Sequence, residues 1–313
     1  MVSRRDVLIG AAAGVARLLR KAATPVSFDV PAGACDSHVH IFGDTKRFPF
    51  VATRTYTPEP ASVAELRTLH RALHIGRVVI VQPSVYGTDN ACTLDAMRQI
   101  GPGARGVAVI DETTPDAALD AMGRAGVRGL RVNLATGGQT DPVAGVRRLK
   151  AVLERAKGRN WHVQVNTAMT FIDRIRDDVM PAPVPMVFDH FGGAQAAPGI
   201  AQPGFDALLR LVRAGHAYVK LSAPYRSSAK AAPYPDVGPL AAALIAANPQ
   251  RMLWGTDWPH PDSSPVPGRA PTDIAALFQI DDGLVLNQLA IWAPDPVLRR
   301  SILVENPARL YGF

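Results

Sequence analysis

The chain has 313 residues, 47% of them hydrophobic, and a net charge of +7. That length can bury one large core, and the positive surplus contains no Lys/Arg run with interleaved aromatics, which argues against nucleic acid as a partner. Two cysteines, Cys35 and Cys92, exclude a disulfide framework, and no stretch approaches the ~18 apolar residues of a membrane span.

Residues 1–33 read as an extension rather than as part of a domain. Arg4-Arg5 before the weakly apolar run Ile9–Ala16 resembles a twin-arginine export signal, although the run is short and no clean cleavage site follows. Export to the periplasm is the expectation, with a cytoplasmic chain carrying a basic extension as the alternative. The domain itself is expected over residues 34–313.

It opens on Cys35-Asp36-Ser37-His38-Val39-His40-Ile41-Phe42. Strand periodicity puts Asp36, His38 and His40 on one face. A loop with Arg54 and Tyr56 follows, then a helix over Ser62–Leu73 that opens with a Ser62/Glu65 capping box. His70 and His74 lie four apart on it, but Arg71 stands where a metalloprotease helix would carry its base, which argues against a metal motif. Apolar runs then recur at Arg77–Gln82, Ala104–Ile110, Val127–Asn133, His162–Thr167, Pro185–Phe191, Ala217–Ala223 and Met252–Trp258. Helical spacing fills the intervals at Asn90–Ile100, Pro115–Ala125, Val143–Lys157, Thr170–Val179, Phe205–Ala214 and Val237–Ala247. Near-continuous apolar strands joined by helices predict a covered parallel sheet, and eight such units predict a single α/β domain, a (β/α)8 TIM barrel.

Barrel enzymes work at the C-terminal ends of their strands. That rim collects His38 and His40 from strand one and Ser84 after strand two. Strand four gives Arg128 and Arg131, followed by a Gly137-Gly138 turn. Gln164 and Asn166 come from strand five and Asp189-His190 from strand six. Lys220, Ser222 and Arg226 follow from strand seven, and Asp257 ends strand eight. Ionisable groups delivered to one rim by so many strands predict a site.

The segments "DSHVHIF", "QPSVYGTDN", "VFDHFGG" and "WGTDWPHP", in this order, resemble the amidohydrolase superfamily over nearly the whole chain after residue 33. They look closest to the branch that contains 2-pyrone-4,6-dicarboxylate lactonase and sugar-lactone hydrolases. The resemblance implies a hydrolase that opens a lactone ring. Asp257 would take the proton of the attacking water, with His38, His40 and His190 around the carbonyl oxygen. Arg131 and Arg226, and less directly Arg128, would hold a substrate carboxylate through planar guanidinium forks. Tyr56 and Ser84 fall at positions that such lactonases use to hold substrate.

Strand four offers no lysine for a two-metal centre, and Arg131 disfavours a cation. No required metal is therefore expected, the alternative being one Zn²⁺ held by His38, His40, His190 and Asp257. The branch's further arginine after strand four is replaced here by Gly137-Gly138, and its strand-five tyrosine by Asn166. A sugar-acid lactone thus stands beside the pyrone dicarboxylate as a candidate small anionic substrate. A metal-dependent amidohydrolase or an aromatic-acid decarboxylase is the alternative activity.

Overall fold

The computed structural model describes residues 23–135, 141–179 and 182–313. The twin-arginine stretch and the Gly137-Gly138 turn lie outside them. Eight strands form one parallel sheet in chain order: β1 Cys35–Val39, β2 Arg77–Val81, β3 Ala104–Ala108, β4 Val127–Asn133, β5 His162–Asn166, β6 Met186–Phe188, β7 Ala217–Ser222 and β8 Met252–Gly255. The sheet closes where β8 returns to β1. Asp257 N donates to His38 O at 2.9 Å, and His40 N donates to Trp258 O at 2.7 Å. The predicted (β/α)8 barrel is the observed architecture.

Helices α1 Val63–Ala72, α2 Ala91–Ile100, α3 Asp116–Arg124, α4 Pro142–Lys157, α5 Met169–Val179, α6 Phe205–Arg213 and α7 Gly238–Ala247 alternate with the strands, and α8 Asp282–Trp292 follows β8. The capping box at α1 forms as the sequence predicts, Ser62 and Glu65 each accepting from the other's backbone N–H. On α6 the buried Phe205, Leu208, Leu211 and Val212 share one face, the usual stripe of a helix covering a sheet.

Strand alternation sorts the core into two layers. Val79, Val81, Val107, Val187 and Leu253 fill the barrel interior with Cys35 and Tyr311. Val78, Ile80, Leu130, Val132, Val163 and Trp254 face the helices. Truncating a fully buried leucine such as Leu208 to alanine would cost about 2–5 kcal/mol.

One predicted alternation fails, and the failure shapes the site. In β1, Asp36 pairs with Val78 and Val39 with Ile80, so three steps on β1 match two on β2. An extra residue of this kind is a bulge, and it re-aims the side chains beyond it. Asp36 therefore points outward, opposite to His38 and His40. There it accepts from Thr256 Oγ1 at 2.6 Å and Thr256 N at 3.0 Å, and lies 3.2 Å from His70 Nε2 on α1. His70 is thus a brace for Asp36 rather than half of a metal pair with His74.

Gly255 lets the two closing strands approach. A Cβ there would lie 2.9 Å from both the Cβ and the backbone N of His38.

Candidate active site

Three strand ends deliver one compact group. His38 and His40 from β1, His190 after β6 and Asp257 after β8 are all buried, at 7% exposure or less. The Nε2 atoms of His38 and His40 are 3.3 Å apart. Asp257 Oδ1 sits 3.6 Å from each of these and 3.7 Å from His190 Nε2. These separations exceed good hydrogen-bond length, and Oδ1 is a buried oxygen without a hydrogen-bond partner. Oδ2, by contrast, accepts from Tyr225 OH at 2.7 Å and Arg226 Nε at 2.8 Å.

The far nitrogens are held by the barrel wall. His40 Nδ1 lies 2.7 Å from Val81 O, a carbonyl that can only accept, so Nδ1 carries the proton and Nε2 keeps its lone pair. His190 Nδ1 meets Ser222 Oγ at 2.9 Å. His38 Nδ1 lies 3.2 Å from Asp189 Oδ1 and 3.3 Å from Lys220 Nζ, and Lys220 also donates to Gln164 Oε1 at 2.7 Å. Asp189 Oδ2 accepts from Gln164 Nε2 at 3.1 Å and from Arg131 Nη2 at 3.3 Å.

Burial governs the charges here. It pushes His38 well below the usual imidazole range and lowers His190 to about 4, so both are neutral at pH 7. Burial also lowers Lys220 to about 8, opposed by the Asp189 charge. For Asp257 burial acts the other way, but the Arg226 guanidinium and then the surrounding imidazoles outweigh it and hold the carboxyl well below its usual range. Asp189 is held down similarly by His38, Lys220 and Arg131 against its own burial.

Above this floor lies a cavity of about 260 Å³ lined by Tyr56, Ser84, Arg131, Asn133, Asn166, Arg226 and the loop residues Pro261, Ser263 and Ser264, with His40, His190 and Asp257 at its base. Tyr56 reaches it from a loop whose Thr57–Pro58 pairs with Ile274–Ala275, tying two loops together across the barrel mouth. Burial raises the Tyr56 hydroxyl to about 12, offset in part by its hydrogen bond with Ser84, so it is a neutral donor.

Of the residues expected at the site, His38, His40, His190, Asp257, Arg131, Arg226, Tyr56 and Ser84 are brought together. Arg128 is not. Its Nη1 donates to Gly123 O at 2.9 Å and Val127 O at 2.8 Å, near the chain's C-terminal Gly312 at the barrel's opposite end. It is the second residue of β4, three before Arg131, and that spacing puts it at the wrong end of the strand. Arg226 is also partly committed, to Asp257 and to Pro261 O at 2.8 Å, and so is not wholly a substrate clamp. Sequence reasoning passed over Tyr225 and Asp282, and gave His260, at the end of the WGTDWPHP segment, no role. The signal for Tyr225 was only its place beside Arg226.

A closed parallel barrel that gathers three imidazoles and one carboxylate at its C-terminal rim is a hydrolytic site, able to activate water and stabilise an oxyanion. The family model described as Amidohydrolase matches residues 35–313, and the chain belongs to that family and is an enzyme. It is 36% identical over 94% of its length to a 4-sulfomuconolactone hydrolase of Rhizobium radiobacter, covering 94% of that protein. It is 34% identical over 91% of its length to a 2-pyrone-4,6-dicarboxylate hydrolase of Comamonas testosteroni, covering 92% of it. A crystal structure of an Agrobacterium tumefaciens protein superposes with a TM-score of 0.77 at 30% identity, over 93% of this chain and 99% of that one.

Proposed function

We propose that this enzyme hydrolyses a small lactone bearing an anionic substituent. One observation carries the reading: an ionised, unbonded carboxylate oxygen, Asp257 Oδ1, faces three imidazole nitrogens at the base of a cavity walled by two guanidiniums. Water bound between Oδ1 and the imidazoles attacks the ring carbonyl. Its proton passes to Oδ1, and the carbonyl oxygen takes up negative charge against the histidine cluster. The ester C–O bond then breaks, and Asp257 returns the proton to the departing ring oxygen, giving a hydroxyl and a carboxylic acid that releases its own proton to solvent. Because Arg226 and the imidazoles keep the Asp257 carboxyl so acidic, it stays ionised at neutral pH and parts readily with the proton it has taken.

Arg131 and Arg226 would orient the anionic substituent, and Tyr56 and Ser84 offer neutral hydrogen bonds. The similarity to enzymes named for 4-sulfomuconolactone and 2-pyrone-4,6-dicarboxylate supports a lactone as substrate. A sugar-acid lactone fits the hydroxyl and amide groups of Ser84, Asn133, Asn166 and Ser263 equally well.

Turnover without a metal is the first reading. His38 Nδ1 lies between Lys220 Nζ at 3.3 Å and Asp189 Oδ1 at 3.2 Å; with Lys220 as its donor, the proton of His38 sits on Nε2, where it can bond to His40 Nε2. The second reading rests on the unbonded Asp257 Oδ1. His38, His40 and this oxygen form a group that suits one divalent ion, with His190 Nε2 3.7 Å from the same oxygen, and the His40 Nδ1 bond to a backbone carbonyl is the usual support of a ligand histidine. Such an ion would polarise the carbonyl and acidify the attacking water.

The test is turnover of 2-pyrone-4,6-dicarboxylate, 4-sulfomuconolactone and a sugar-acid lactone by the wild type and Asp257→Asn. Loss of about 10²–10⁴ in kcat with the fold intact is expected, and full activity in the variant would sink the assignment. Metal analysis with activity before and after a chelator separates the two readings.

A further inference from the structure

The two oxygens of Asp257 have different surroundings, and something must keep them from exchanging by rotation about the side chain. Oδ1 faces the imidazoles without a hydrogen bond, while Oδ2 accepts from Arg226 Nε and Tyr225 OH. Arg226 lines the cavity and is drawn toward any anionic substrate, so it is an unreliable anchor during turnover. Tyr225 does not line the cavity. Its hydroxyl lies 3.4 Å from His260 Nδ1, and His260 Nε2 lies 3.1 Å from Asp282 Oδ2, on the first turn of α8. His260 and Tyr225 meet edge-to-face with ring centres 5.6 Å apart, and Phe278 packs tilted against Tyr225 at 5.5 Å.

Asp282 is 1% exposed and its other oxygen, Oδ1, has no hydrogen-bond partner. Burying a carboxylate against a single histidine is a costly way to fasten a loop, since apolar packing of the same volume would do it as well. What the pair adds is direction. With Asp282 accepting from Nε2–H, the His260 ring is fixed in orientation beside the Tyr225 hydroxyl.

We infer that Tyr225, held in place by the His260 ring and the Asp282 carboxylate behind it, fixes the orientation of the Asp257 carboxylate, with Tyr225 the donor that holds Oδ2 when substrate engages Arg226. All three are positioning residues, and the inference rests on the reading of Asp257 as the base. The experiment uses the full chain and whichever lactone of the three above is turned over fastest. Tyr225→Phe lowers kcat about tenfold or more and changes KM less than about threefold, because the lost bond holds the base rather than the substrate. His260→Gln lowers kcat as well, and the double variant falls no further than Tyr225→Phe alone. Asp282→Asn, whose oxygen still accepts from His260, regains most of what Asp282→Ala loses. A merely structural trio would instead lower thermal stability and leave kcat per folded molecule unchanged. If Asp257→Asn is inactive while Tyr225→Phe keeps kcat within twofold, or if the two losses multiply, this inference fails and the reading of Asp257 stands. If Asp257→Asn is itself active, the reading of the base fails first.

Discussion

His162 begins β5 at the end of the barrel away from the cavity, and it makes the protein sensitive to acid. Its ring is 1% exposed, stacks edge-on against Tyr311 at 5.2 Å, and neither nitrogen has a hydrogen-bond partner. Burial and the nearby Lys220 charge lower its pKa from 6.5 to about 3, the Arg128 backbone opposing them only in part. A histidine whose folded-state pKa is depressed binds fewer protons when folded than when unfolded between those two values. Stability therefore rises with pH across that window and is lost as pH falls from about 6.5 toward 3. At pH 5 the unfolded ring is almost wholly protonated and the folded ring almost wholly neutral. The gap of about 1.5 units between pH 5 and the unfolded pKa makes this loss about 2 kcal/mol relative to pH 7. Urea denaturation of wild type and His162→Leu at pH 7 and pH 5 isolates it. The other buried histidines act in both proteins and cancel, and any packing cost of leucine is the same at both pH values. The wild type is expected to lose about 2 kcal/mol more than the variant on acidification, and equal losses would refute the burial argument.

Arg128→Ala should leave kcat and KM within about twofold of wild type and lower stability by about 1 kcal/mol, because its bonds to Gly123 O and Val127 O are structural. A large rise in KM would mean that Arg128 reaches substrate after all. Gly255→Ala puts a methyl 2.9 Å from the His38 backbone, in a contact that must give. It should cost about 1–3 kcal/mol in denaturation and disturb kcat more than KM by shifting His38 against Asp257. Lys220, lowered to about 8, loses its proton as pH rises and with it the positive charge beside His38 and Asp189, so kcat should decline through about pH 8. Lys220→Met should lack that limb of the pH profile, and a limb that persists in the variant belongs to another group.

The barrel was legible because its signal is repetitive. Each strand buries both faces and so reads as an apolar run, and each helix carries one apolar stripe. The strand-end residues followed from the barrel rule alone, which is why His190 and Asp257, far apart in the chain, could be brought together on paper. What the sequence hid was local geometry. Strict alternation placed Asp36 with His38 and His40, and only the one-residue bulge between Asp36 and Val39 turns it outward to Thr256 and His70. Arg128 and Arg131 looked alike as cations, yet three residues along β4 separate the two ends of the barrel. Tyr225, His260 and Asp282 lacked any spacing signature, since their meeting depends on where the loop after Asp257 folds back against α8.

Backbone strain marks the same half of the rim. Among the described residues eight non-glycine residues have positive φ, and five of them, His190, Phe191, Ala223, Asp257 and His260, follow β6, β7 and β8. A left-handed non-glycine residue costs on the order of 1 kcal/mol and persists only where the surroundings over-determine it. These turns carry His190, introduce Tyr225 and Arg226, and aim Asp257 and His260. Arg131, Tyr56 and Ser84, on the facing wall, have ordinary backbone conformations. The difference follows from the two tasks. A carboxylate that must present one named oxygen to three imidazoles tolerates little rotation, and a sharp turn locked by packing supplies that constraint. A wall that grips an anion through long guanidinium and phenol side chains can adjust along those chains. Variation in substrate should therefore fall on the wall of Arg131, Tyr56 and Ser84, while the strained turns after β6 to β8 keep the proton chemistry constant.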